Sequence, residues 1–264
     1  MGARYHEGLL VSDHTTTHFA SFDGTKLALH RQGEGRPVLL LHGLFSSAQM
    51  NWLKWGHAAR IAGAGFEAIM LDFRVHGESE SPREPERYPK DVLVRDVAAL
   101  AEHLGLEEGD FDLVGFSLGA RTALHVAARG VLSPRRMVVC GMGVTGLTGW
   151  QQRAAFFKRV IDEFDTIERG DPAWQSRQFL KSQGVDRVAA RLLLDAMGDL
   201  ELEALENVAC PALVVCGVDD RDNGSASHLA QLLPDARYEE VPGAHLDSAT
   251  RPELGEAIVD FLKD

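Results

Sequence analysis

The stretch Phe111-Asp112-Leu113-Val114-Gly115-Phe116-Ser117-Leu118-Gly119 constrains this chain more than any other. Its apolar run breaks into Gly115-x-Ser117-x-Gly119, a spacing that suits a strand turning sharply into a helix. A glycine two residues to either side of the serine leaves only hydrogen where the turning backbone crowds itself. Such a turn holds the serine hydroxyl out at the carboxyl end of the strand. Residues 118–129 are alanine-rich and free of proline, which predicts a helix whose first amides point toward the serine. The motif is short and the chain contains 26 glycines, so it also arises by chance. Its meaning depends on what stands around it.

Further apolar runs at 37–41, 68–72, 137–140 and 212–216, and a shorter one at 238–241, read as strands. Between them, residues 52–62 predict a helix ended by Gly63 and Gly65. In 90–104, Leu93, Val97, Leu100 and Leu104 recur at helical spacing. Strands alternating with helices predict an α/β fold, a parallel sheet covered on both faces, with ligand sites at the carboxyl ends of the strands. His42, Asp72, Ser117 and the acids after Cys216 all fall at such ends. An Asp23-Gly24 turn within residues 19–30 predicts a hairpin at the sheet edge.

Residues 144–207 break this rhythm, with Phe157, Val160, Ile161 and Phe164 on one helical face and Val185, Val188 and Leu192 on another. They predict an inserted helical cap over the strand ends. Residues 1–143 and 208–264 then make up the core domain. Trp150, Phe156 and Trp174 are candidates either to reach a pocket or to glue cap to body. Near the C-terminus, Thr250-x-x-Glu253 with Pro252 predicts a capping box. The closing helix carries the stripe Leu254, Ala257, Ile258, Phe261 and Leu262.

A length of 264 residues with 45% apolar content supports one α/β domain with an insertion. A net charge of −12 without a basic run argues against nucleic acid or an anionic membrane surface as partner. Polar residues 1–8 predict neither a signal peptide nor a membrane span. Cys140, Cys210 and Cys216 are odd in number and lie in or beside apolar runs, the pattern of free thiols in a reducing, cytoplasmic setting. His6, His14 and His18 have no carboxylate or thiol set to complete a metal site, although the last two could share a helical turn. The first 18 residues read as a solvated arm.

A serine hydroxyl becomes a good nucleophile when an imidazole takes its proton, and the imidazole needs a carboxylate to hold its tautomer. His245 follows the final strand in Val241-Pro242-Gly243-Ala244-His245-Leu246, a loop of small residues suited to aiming a side chain. His125 is nearer to Ser117 in sequence but two helical turns below it. His42 and His76 sit at strand ends as well, and either could approach the pocket as a supporting hydrogen-bond donor. Gly217-Val218-Asp219-Asp220-Arg221-Asp222 offers three carboxylates; alternation lets Asp219 or Asp220 face inward, not both. Asp220 is the choice, with Asp219 and Asp222 in reserve. The turn after the fourth run, Gly141-Met142-Gly143-Val144, has no acid, and Asp72 reads as a carboxylate tying loops together. Backbone amides at Leu118 and at Leu44, with Phe45 in reserve, are placed to hold a developing oxyanion.

The order Ser117, Asp220, His245, with His42-Gly43 and the run Asp72-x-Arg74-x-His76-Gly77-x-Ser79, resembles the α/β-hydrolase superfamily across nearly the whole chain outside the first 18 residues and the cap. Two positions depart from the family pattern: Ala244 precedes the histidine where glycine is usual, and Ala120 follows Gly119. The resemblance implies a mostly parallel eight-stranded sheet flanked by helices and a serine-dependent hydrolase without metal or organic cofactor, acting on a small molecule. Arg121 is similar in position to an arginine that binds anionic substrate in the superfamily's menaquinone-pathway lyases; an ion pair on the helix flank is the plainer reading. Phe45, Phe116, Leu118 and Leu246 suggest an apolar acyl or alcohol pocket and hence small esters. Enzymes of this fold also cleave carbon–carbon bonds, act as lyases or make peracids, and some serve as slow hydrolase-receptors; fold and triad do not separate these. Oligomeric state is not indicated.

Overall fold

In strand Arg36–Leu41 the four fully buried residues alternate between two cores. Val38 and Leu40 join one, Leu39 and Leu41 the other, as the two-residue period of a strand requires. A strand apolar on both faces needs covering on both, and the computed structural model, which describes residues 14–264, supplies it. Eight strands form one sheet: β1 Thr15–Ala20, β2 Lys26–Gln32, β3 Arg36–Leu41, β4 Phe66–Leu71, β5 Asp112–Phe116, β6 Met137–Cys140, β7 Ala212–Gly217 and β8 Ala236–Val241. Their spatial order is β1-β2-β4-β3-β5-β6-β7-β8. β1 and β2 pair antiparallel, as does β2 with β4, and every pairing from β4 through β8 is parallel.

Helices α1 (His57–Gly63) and α10 (Pro252–Lys263) pack together on the Val38 face. Helices α2 (Val92–Leu104), α3 (Leu118–Ala128) and α8 (Ala226–Leu232) cover the Leu39 face. Between β6 and β7 the chain forms α4 (Val144–Leu147), α5 (Trp150–Asp162), α6 (Trp174–Ser182) and α7 (Arg187–Ala196), then a 3-10 turn at Leu202–Asn207, and adds no strand to the sheet. The short helix α9 (His245–Ser248) follows β8.

Three local expectations are corrected. The helix expected at 52–62 is split into a π-helical turn at Gln49–Leu53 and α1, because Gly56 takes φ +76° between them and reverses the winding. The capping box does not form: α10 starts one residue later, with Arg251 at the N-cap, and Thr250 Oγ1 donates back to the Asp247 carbonyl at 2.8 Å. His14 and His18 do not share a helical turn, since Thr15–His18 belong to β1 and extended backbone separates them. His6 lies outside the described residues.

Candidate active site

Ser117 stands between β5 and α3 with φ +53°, a backbone conformation that costs a residue with a Cβ. Its surroundings hold it there. A Cβ on Gly115 would come 2.3 Å from the Gly119 carbonyl carbon, and one on Gly119 would come 2.0 Å from the Leu41 carbonyl oxygen. Both glycines are therefore dictated by backbone packing, and the Ser117 amide donates to the Cys140 carbonyl at 2.8 Å.

His245 begins α9, and its Nε2 lies 3.0 Å from Ser117 Oγ. On its other side Nδ1 lies 2.7 Å from Asp220 Oδ2, so the carboxylate fixes the proton on Nδ1 and leaves Nε2 facing the serine. Asp220 follows β7 in a tight turn closed by its own amide to the Gly217 carbonyl at 2.9 Å. That turn, rather than strand alternation, buries Asp220 and leaves Asp219 and Asp222 exposed. Burial opposes ionisation of Asp220, but His245 and the Asp222 amide, 3.0 Å from Oδ1, together hold its carboxyl below the ordinary value. Asp220, Asp222 and His245 are also a trio of potential metal donors within 4.8 Å of one another. Hydrogen bonds already engage the Asp220 oxygens and the imidazole Nδ1.

The loop after β3 carries two consecutive amides at Leu44 and Phe45, both cavity-lining residues. The Phe45 amide donates to His76 Nε2 at 3.0 Å, whereas the Leu44 amide meets no acceptor among the described residues. Leu118, the first residue of α3, has no intrahelical acceptor for its amide. Leu44 and Leu118 thus offer the pair of unused donors, and Phe45, at φ +58°, is committed elsewhere. Of His42 and His76, His42 lies behind the pocket as a donor: its Nδ1 donates to the carbonyl of Gly43, a cavity-lining residue, at 2.8 Å, and its Nε2 accepts from the Phe73 amide at 3.0 Å. His76 Nδ1 donates to the Arg74 carbonyl at 2.9 Å and braces its own loop. Burial holds the His42 pKa down and pushes His76 to about 3, so both remain neutral. Asp72 accepts from the amides of Ala48 and Glu78 and from His30 Nε2, at 2.7, 2.9 and 3.0 Å, tying its own loop to the loop after β3 and to strand β2. Arg74, fully buried, is held by both oxygens of Asp96 and anchors the same segment.

A cavity of about 350 Å³ opens beside Ser117 and His245. Phe45 and Phe116 line it from the sheet side, and Leu246, 53% exposed, stands at its rim with Trp55. Trp150, Arg153 and Phe157 of α5 and Phe179 of α6 close the opposite wall. Of the expected aromatics, Trp150 lines the cavity, whereas Phe156 and Trp174 pack on Val160, Ile167 and Ala173. Arg153 and Phe179 line the cavity without a sequence signal of their own, and Phe157 belongs to both the cavity wall and its expected face. The spacing 150, 153, 157 places three wall residues on one helical stripe, which Ile161 and Phe164 continue.

Arg121 also borders the cavity, but among the described residues its guanidinium forms no ion pair on the helix flank. Nη1 donates to the Gly146 carbonyl and Nη2 to the Gly198 carbonyl, with the Trp150 ring centre 5.0 Å away. Burial pulls its pKa down to about 10, which leaves it charged at neutral pH. One turn further along α3, His125 is buried with neither ring nitrogen partnered, facing a separate small cavity bounded by Val92, Thr122 and Met197.

A sequence model of the alpha/beta hydrolase family matches residues 38–254. The chain belongs to the alpha/beta hydrolase family. This hydrolase is 27% identical over 262 residues to the uncharacterized hydrolase YugF of Bacillus subtilis, covering 89% of the chain and 93% of that protein. It is 34% identical over 114 residues to N-formylmaleamate deformylase of Pseudomonas putida, a match covering 43% of the chain and 40% of the deformylase. Among solved structures, the enol-lactonase of Burkholderia xenovorans LB400 superposes with a TM-score of 0.73 at 23% identity, over 94% of this hydrolase and all of the lactonase, a likeness of fold. No helix among the described residues is long and apolar enough to cross a membrane.

Proposed function

We propose that this alpha/beta hydrolase is a serine hydrolase that cleaves small, largely apolar carboxylic esters. The observation that carries the reading is the continuous relay from Ser117 Oγ to His245 Nε2 at 3.0 Å and from His245 Nδ1 to Asp220 Oδ2 at 2.7 Å. In the proposed reaction Ser117 Oγ attacks the ester carbonyl while its proton passes to His245 Nε2, and Asp220 stabilises the imidazolium. The tetrahedral oxyanion forms between the Leu44 and Leu118 amides. His245 then protonates the departing alkoxide. Water, deprotonated by the same nitrogen, releases the acid from the acyl-serine and restores the hydroxyl. Residues 144–207 act as a cap over the cavity, whose aromatic wall and limited volume favour compact apolar groups. Three free cysteines, two of them buried, support a cytoplasmic location.

The test is hydrolysis of p-nitrophenyl esters from acetate to decanoate, with fluorophosphonate labelling of Ser117 in parallel. Ser117→Ala and His245→Ala are expected to lose about a thousandfold or more in kcat, and Asp220→Asn somewhat less. Full activity in Asp220→Asn alongside a crippled Asp219→Asn or Asp222→Asn would overturn the acid assignment.

A further inference from the structure

Helix α5 carries three cations, and two of them are paired: Lys158 with Asp195, and Arg159 with Asp171 at 2.5 Å. Arg153, the third, faces the cavity. Its Nη1 donates to the backbone carbonyl of Asp222 at 2.8 Å, and its guanidinium carbon lies 5.6 Å from the Phe157 ring centre. Among the described residues it makes no ion pair with a carboxylate, in a chain with 39 acids against 27 lysines and arginines. Burial lowers its pKa and the charges of Asp222 and Asp220 offset this only in part, so the cation is partly stripped of water without an anion in contact. Arg121, the other cation at the cavity, is different in kind, because both terminal nitrogens are taken by the Gly146 and Gly198 carbonyls.

A guanidinium with one nitrogen engaged by a carbonyl, at the wall of a small, largely apolar cavity, has N–H groups left to take a carboxylate. Placing that charge opposite an anion restores what desolvation removed, whereas a neutral group leaves it unmatched. We infer that Arg153 determines specificity by binding a carboxylate on the substrate remote from the scissile carbonyl, so the preferred substrates are monoanionic esters such as half-esters of short dicarboxylic acids. The inference rests on the serine-hydrolase reading above and names the substrate class of that site.

The experiment compares matched esters in which a carboxylate replaces a methyl group: p-nitrophenyl hemisuccinate against p-nitrophenyl butyrate for the acyl side, and carboxymethyl butyrate against ethyl butyrate for the alcohol side. In the wild-type enzyme the anionic member of at least one pair is expected to have kcat/KM about tenfold or more higher, a preference that shrinks with added salt. In Arg153→Gln the anionic-to-neutral ratio collapses toward one, mainly through KM, and Arg153→Lys restores part of it. No anionic preference in either pair, or equal losses on both members in Arg153→Gln, overturns the inference and leaves an ester hydrolase with a structural arginine. Failure to cleave any of the four esters, with Ser117 unlabelled by fluorophosphonate, refutes the serine-hydrolase reading itself.

Discussion

The backbone amide of Phe45 donates to Nε2 of His76 across 3.0 Å, and Leu44, one residue earlier, keeps its amide unspent. One bond thus leaves Leu44 as the amide of this turn without an acceptor among the described residues. It also stabilises the positive φ of Phe45, a conformation that otherwise costs a bulky residue on the order of 1–3 kcal/mol. On the proposed reading, in which the Leu44 amide holds the oxyanion of an ester, His76→Ala is expected to lower kcat on a neutral ester about 10- to 100-fold with a smaller change in KM, because that donor drifts from its place. His76→Gln, which retains an acceptor, should retain more activity. Steady-state kinetics on both variants check this.

Gly119→Ala places a methyl group 2.0 Å from the Leu41 carbonyl oxygen, and the obstacle is backbone that cannot swing aside. A loss of about 3 kcal/mol or more is expected, seen in urea unfolding or as failure to accumulate folded protein. Gly56→Ala meets no atom within 4 Å and bears only the positive-φ penalty, so it should cost about 1 kcal/mol.

His125 and His76 both have pKa values pushed down to about 3 by burial, and His57 is lowered by the same cause. The unfolded chain protonates such histidines below about pH 6.5 while the folded chain does not, so the unfolded state binds more protons in that window. Stability is therefore expected to fall as pH drops from about 6.5 toward 3, by up to about 1.4 kcal/mol per pH unit for each such histidine. His125→Leu removes two unpartnered buried nitrogens and one of these proton sites. It should gain about 1 kcal/mol at pH 7 and flatten the acid slope, as measured by urea unfolding at pH 7 and pH 5.

Arg121→Met removes the donors to the Gly146 and Gly198 carbonyls and leaves both carbonyls without that partner. The helices between β6 and β7 should then dock less firmly, raising KM about tenfold with a smaller effect on kcat. Limited proteolysis within 144–207 should quicken in parallel, and an unchanged cleavage rate would contradict this account.

The sheet and the order of Ser117, Asp220 and His245 were legible because each follows from a local rule: a two-face apolar run, a glycine turn, a polar residue just past a strand end. What escaped depended on contacts between distant segments. That His76 serves the Phe45 amide requires two loops to meet, and no pattern along the chain announces it. Of the face expected on α5, Phe157, Ile161 and Phe164 share one cluster, but Val160 packs with Phe156 on the other side, because α5 is apolar on two sides. The capping box failed by one residue, since the Thr250 hydroxyl found a nearer carbonyl.

Arg121 grips both roots of the α4–α7 segment, Gly146 just inside the first and Gly198 just beyond the last helix, and it grips them by main-chain oxygens. A carbonyl oxygen is the same whatever side chain its residue carries. The attachment therefore places little demand on the sequence of the segment it holds, and substitutions along α5 and α6 can remodel the cavity wall while the anchorage stays intact.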